Sequence, residues 1–368
     1  MRNPKVGQTP LSRLANTGSV ARNGSLSSAA QTAWLQPGAC EELARELSIT
    51  TVEEFYAWTR TQNPARVETF VGNRSTRTDQ TLAKSLEPFV SPEFIRRFDD
   101  NSRVRYSCGA RLSSLPTKPS LEADVLREAA QPLLPNEISL INTCMPPIKD
   151  QGERPTSVAF ATCTVIEYAV CRRRGQMIDL SEQWQYWNCK QHDGNPTSDG
   201  TSLALSFYLA ARDGICEERD WPYVNTQDIA DLRFQQPPPI AISSNHKVAR
   251  FTDAVNPRDV VSLKQTIAND QLIAIAIPWF DSVDQNLNIR TTGNILVPAT
   301  SEPWPELGHA LVLVGYVDDS EFAGGGYFIV RNSWGNRWGR WSLFGPGYGT
   351  IPYRFIELYN HSAFTVTC

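Results

Sequence analysis

Apolar residues recur every three to four positions in four stretches of the middle of the chain, residues 157–174, 181–189, 202–212 and 260–269. That period aligns side chains on one face of a helix, so each stretch predicts an α-helix. From about residue 272 the pattern changes to short apolar runs at 272–277, 310–317, 327–331 and 341–344, bounded by Gly, Pro, Asp or Asn. Runs of that length and setting predict buried strands. Upstream, 41–47 and 52–59 again show helical spacing, Thr51-Val52-Glu53-Glu54 has the form of a capping box, and Ser91-Pro92-Glu93 suits a helix start. The pattern therefore predicts an α+β fold, a helical half followed by a β-rich half with a cleft between them, preceded by a mainly helical N-terminal domain.

Breaker residues divide these parts. The stretch 107–120, Ser-Cys-Gly-Ala-Arg-Leu-Ser-Ser-Leu-Pro-Thr-Lys-Pro-Ser, reads as linker, and Pro132, Pro135, Pro146 and Pro147 follow it. We expect a flexible arm over 1–30, rich in Ser, Asn, Gly and Thr, a helical domain with its linker over 31–133, and a second domain over 134–368, with the boundary at 120–134. Charge separates along the same line. Residues 1–133 hold 17 basic and 14 acidic side chains, which leaves 18 and 25 for residues 134–368. Opposite signs favour docking of the first part on the second. The overall charge of −4 carries no polyanion-binding signature, so nucleic acid is not an expected partner.

No apolar run approaches the ~18 residues of a membrane span, and the basic N-terminus has no apolar core of the kind a Sec-type signal requires. The expected location is cytoplasmic, or outside the cell by a non-Sec route. Eight cysteines are scattered without C-x-x-C spacing and four histidines lie far apart, so the expectation is buried free thiols and no metal site or other cofactor.

Three segments carry candidate chemistry: Lys149-Asp150-Gln151-Gly152-Glu153-Arg154-Pro155-Thr156-Ser157, Leu307-Gly308-His309-Ala310, and Asn332-Ser333-Trp334-Gly335. A small polar residue at the start of a long helix sits where unpaired backbone N–H groups and the helix dipole stabilise a developing anion, and a thiolate gains most there. A histidine on an apolar strand can supply a base, and an asparagine on a neighbouring strand can fix its tautomer. The Gln151 amide, six residues before Ser157, can donate to an oxyanion. Taken singly, Ser157 is an ordinary helix cap, His309 a structural histidine and Asn-Ser-Trp-Gly a turn.

Together the segments resemble the papain family of cysteine proteases, and its bacterial branch in particular. His309 and Asn332 follow Ser157 by 152 and 175 residues, in the family's order. Leu180-Ser181-Glu182-Gln183, Asp213-Gly214-Ile215-Cys216 with Trp221-Pro222-Tyr223, and Tyr348-Gly349-Thr350-Ile351-Pro352-Tyr353 are similar to further family stretches, and the likeness covers about 134–360. The resemblance implies a papain-like fold in which Ser157 takes the nucleophile position, His309 is general base and acid, Asn332 orients it, and Gln151 donates to the oxyanion. It further implies that Gly200 and Thr201 line the cleft, that Gly308 and Trp334 lie at the substrate, and that Trp334 shields the His309–Asn332 hydrogen bond. Arg154 stands where secreted members have a disulfide cysteine, and Val158 replaces the usual tryptophan.

Serine in place of cysteine is the departure that matters, because a hydroxyl does not form the thiolate–imidazolium pair. Three readings follow: an inactive Cys-to-Ser form of a cysteine endopeptidase zymogen, a natural pseudoprotease that binds peptide or protein without cutting it, or a hydrolase using serine as nucleophile. The expected partners are a peptide or protein substrate and the chain's own N-terminal part, an inhibitory prodomain that lays a segment of 105–133 through the cleft.

Overall fold

The computed structural model describes residues 106–112, most of 134–367, and scattered positions between 43 and 95. The expected arm over 1–30, most of the helical domain and the boundary at 120–134 lie outside the described residues. Of that helical domain, Val52, Phe55, Tyr56 and Thr59 are helical and buried, the spacing of one helix face turned inward.

The helical half begins with α1 (Ser157–Arg174), buried along nearly its whole length. It stops at Gly175, whose left-handed φ of 68° lets its N–H close on the Cys171 carbonyl, and Arg172, Arg173 and Arg174 put positive charge at the dipole's negative end. Helices α2 (Glu182–His192) and α3 (Leu203–Arg212) pack against α1 and start on Ser181 and Ser202, whose hydroxyls accept from Trp184 N and Leu205 N. After the short α4 (Pro239–Ser243) comes α5 (Val260–Ala268), capped by Asp259.

The β half is a seven-stranded antiparallel sheet: β1 (Glu137–Ser139), β2 (Arg250–Asp253), β3 (Ile273–Pro278), β4 (Gly308–Asp318), β5 (Gly326–Arg331), β6 (Tyr348–Pro352) and β7 (Ser362–Thr367). Its order is β2-β7-β3-β4-β5-β6, with β1 added on β4. Strand β3 is buried on both faces, as its unbroken Ile-Ala run requires, because α1 and α5 cover it and β4. Short helices α6 (Asp281–Asp284) and α7 (Leu287–Thr292) follow β3, and α8 (Tyr353–Tyr359) follows β6.

Three of these four predicted helices and three of the four predicted strands lie within two residues of their expected ends, and α2 runs three residues past its expected end at 189. The exception among the strands is 341–344, which is turn. Gly345 and Gly347 hold φ values of 101° and 82°, which breaks the extended run, and the strand forms just beyond them as β6. One cysteine pair departs from the expected free thiols: Cys144 and Cys171 form a disulfide that ties the segment after β1 to the end of α1. Cys163, Cys189 and Cys216 are buried free thiols as expected.

Candidate active site

The start of α1 meets the middle of the sheet. Thr156, not Ser157, is the helix N-cap, so the Ser157 hydroxyl is not consumed in capping; it accepts instead from Ala310 N of β4 at 3.3 Å. Beside it, His309 on β4 is fully buried, and its Nε2 donates to Asn332 Oδ1 at 2.8 Å. Asn332 follows directly on β5, and Ser333 N donates to the same oxygen at 2.7 Å. With Nε2 carrying the proton, Nδ1 is the basic nitrogen; it is buried and has no hydrogen-bond partner among the described residues. Burial pushes the imidazole down to about 4, partly offset by the Asn332 bond, so the ring is neutral at pH 7. Trp334 lies on the ring at 4.2 Å between centroids and Trp279 meets it at 5.0 Å, an apolar cover over the His309–Asn332 bond.

The Gln151 side chain is fully buried and fixed at both ends. Its Oε1 accepts from Ser333 Oγ at 2.6 Å, which turns Nε2 toward the cleft, where it donates to Arg154 O at 2.7 Å and to Ser107 O at 2.9 Å. Ser333 thus ties two predicted site residues together, since its N–H holds Asn332 and its hydroxyl holds Gln151. A serine in a four-residue turn gave no sequence signal of this.

Residues 106–112 run along the cleft and bond to both walls. Ala110 and Gly308 exchange two backbone bonds at 2.8 and 2.7 Å; Arg111 N donates to Thr201 O at 2.8 Å and Thr201 N to Gly109 O at 3.0 Å. Gly109 fits only as glycine, because a Cβ there would collide with the Pro155 carbonyl and come within 2.8 Å of Thr156 N. Gly200, at φ 69°, is likewise set by the close approach of Gly109 O. Trp334 Nε1 donates to Ser107 O at 3.2 Å, and its ring stacks on Tyr106 at 4.6 Å. The four cleft-lining candidates, Gly200, Thr201, Gly308 and Trp334, therefore all lie at this strand. The remainder of the predicted 105–133 segment up to residue 133 lies outside the described residues.

Beneath the site, Lys149 joins Glu167 at 3.0 Å, Glu182 at 2.7 Å and Asp179 at 2.6 Å. Glu167 and Glu182 are buried and share the one ammonium, while Asp179 reaches it from the exposed side, and burial raises Glu182 to about 8. This cluster braces the loop carrying Gln151 against α1 and α2. Burial likewise raises the Cys163 thiol well above its usual value, so it is inert core. Among the described residues no group of His, Cys, Asp and Glu side chains is gathered to hold a metal ion, and no helix is long and apolar enough to cross a membrane.

Known proteins resemble this chain in sequence and in fold. The sequence model of the group described as "Papain family cysteine protease" matches residues 134–348. Similar proteins include "Cysteine proteinase 3" of Dictyostelium discoideum, 27% identical over 195 residues, 52% of each chain. "Procathepsin L" of Rattus norvegicus is 26% identical over 199 residues, 53% of this chain and 55% of that one. The chain spans about half the length of the curated relatives it matches. Among solved structures, Xylellain, a cysteine protease from Xylella fastidiosa, superposes with a TM-score of 0.55 at 20% identity, over 72% of this chain and 97% of that one. At that identity the likeness speaks for the fold.

Proposed function

The chain belongs to the papain family of cysteine proteases, and on that premise we propose that it is an endopeptidase zymogen held in an inactive serine form. The proposed roles follow from the geometry above. Position 157 is the nucleophile site, His309 Nδ1 the base that takes its proton and later delivers it to the leaving amine, and Asn332 the group that holds the tautomer. Gln151 Nε2, with the backbone N–H at the helix start, faces the developing oxyanion. The single observation that carries this reading is the His309–Asn332 pair at 2.8 Å, with the unpaired basic nitrogen left on the side that is not bonded to Asn332.

Serine alters one step. A thiol near pKa 8.5 ionises beside an imidazolium and a helix N-terminus, whereas a hydroxyl stays protonated and must be deprotonated during attack at a site tuned for sulfur. Peptide binding survives and turnover does not. The strand 106–112 supports the zymogen part of the proposal, because it uses the backbone groups of Thr201 and Gly308 that a substrate would need. In this reading residues 134–368 form the peptidase domain and those before it the prodomain.

The test is Ser157→Cys. The expected result is hydrolysis of members of a peptide panel and self-cleavage before residue 134, both abolished by adding His309→Ala. No hydrolysis of any peptide would replace the zymogen reading with a binding module. Hydrolysis by the serine chain itself, lost in His309→Ala, would assign the nucleophile to serine.

A further inference from the structure

We propose that the cleft carries, on its leaving-group side, a preformed clamp that selects an aromatic side chain in the substrate, with Trp334 as one face and the Arg290 guanidinium as the other; this rests on the peptidase reading above. The chain's own Tyr106 displays the fit. Its ring lies 4.6 Å from Trp334 at an interplanar angle of 13°, and Arg290 Cζ stands 5.2 Å from the ring's centroid. A ring between an indole face and a cation gains both offset stacking and cation–π attraction, which an aliphatic side chain of similar size does not.

The clamp does not depend on Tyr106 for its shape. Arg290 Nε donates to Asp284 O at 2.9 Å and its terminal nitrogen to Asp284 Oδ2 at 3.4 Å. Asp284 Oδ1 in turn accepts from Trp279 Nε1 at 3.1 Å, and Trp279 meets Trp334 edge-on at 5.0 Å. Both faces are thus joined through Asp284 and Trp279, so ordering a bound ring costs little. The Asp284 carboxylate also offsets the Arg290 charge, which removes the basis for selecting an acidic residue. The Tyr106 hydroxyl is buried with no hydrogen-bond partner among the described residues. The clamp therefore reads the ring and not the hydroxyl, and phenylalanine suits it at least as well as tyrosine.

The side of the cleft follows from proton delivery. The departing amine takes its proton from His309, and that ring packs on Trp334 at 4.2 Å, whereas Thr201 and Gly308 bond to the strand beyond the Gln151 contact. Chain beyond the broken bond leaves over Trp334.

Two measurements test this separately from the peptidase reading. In the serine chain, amide exchange at Ala110 and Arg111 reports the strand's hold without any turnover. Tyr106→Phe is expected to keep their protection and Tyr106→Ala to lower it about tenfold; equal protection in both variants overturns the clamp. In the processed Ser157→Cys chain, internally quenched peptides differing only in the two residues after the cleaved bond are expected to show about a tenfold preference in kcat/KM for Phe over Ala at one of them. Arg290→Gln should bring that ratio toward one, and Arg290→Lys should retain part of it. Hydrolysis without aromatic preference overturns the clamp and leaves the peptidase reading standing. The exchange effect without hydrolysis of any peptide does the reverse.

Discussion

Gly109→Ala isolates the contact between the strand and the cleft. The glycine has no positive φ, so alanine is conformationally acceptable there, and by restricting the unfolded chain it slightly favours the folded state. Its Cβ, however, has nowhere to go, with the Pro155 carbonyl and Thr156 N in its place and both belonging to the turn that starts α1. The strand has to lift. Four backbone bonds to Thr201 and Gly308, at 2.7 to 3.0 Å, depend on its present height. At about 0.5–1.5 kcal/mol net for each, losing most of them weakens the hold by about 2–4 kcal/mol, or roughly 30- to 1,000-fold in occupancy of the cleft. Exchange of the Ala110 and Arg111 amides should accelerate accordingly, and a peptide titrated into the serine chain should bind tighter by a similar factor, because its competitor has been weakened. Unchanged exchange together with unchanged peptide affinity would show that the strand does not control access.

Two further outcomes are expected. In the Ser157→Cys chain, Ser333→Ala strands Gln151 Oε1 in a buried place and frees the amide to turn, so kcat should fall about tenfold with little change in KM; an equal kcat would mean Gln151 is held by its other contacts alone. Strand release should quicken as pH falls from about 6.5 to about 4. In the closed cleft His309 sits near 4, and on opening it returns toward its usual value near 6.5, so the open form binds more protons in that window. Above pH 7 the effect vanishes, and His309→Gln should flatten the profile.

What the sequence shows and hides follows from which atoms do the work. Helix α1 and strands β3 and β4 were legible because long apolar periods and unbroken apolar runs leave little choice of element. Ser157, His309 and Asn332 stand out as candidates because the roles proposed for them rest on side chains, and those side chains sit in a recognisable order. The strand at 106–112 read as linker because its grip is made mostly by backbone atoms and by the absence of a Cβ at Gly109, neither of which leaves an apolar pattern. Ser333 was hidden for a similar reason, since nothing in Asn-Ser-Trp-Gly tells that its hydroxyl reaches Gln151, 182 residues away in sequence. The Cys144–Cys171 pair is one of many pairings that eight cysteines allow. The run 341–344 resembles strand because three of its four residues, Trp341, Leu343 and Phe344, are large and apolar; two glycines just beyond it move the extended segment to β6.

The central claim, that the surroundings of position 157 are arranged for a thiolate, is tested most directly by the pH dependence of alkylation of Cys at that position, in the Ser157→Cys chain with Gly109→Ala to open the cleft. The account predicts reaction with a small haloacetamide at an apparent pKa several units below the ordinary thiol value of about 8.5, returning to that value when His309→Ala is added. A titration near 8.5 with His309 in place would contradict it.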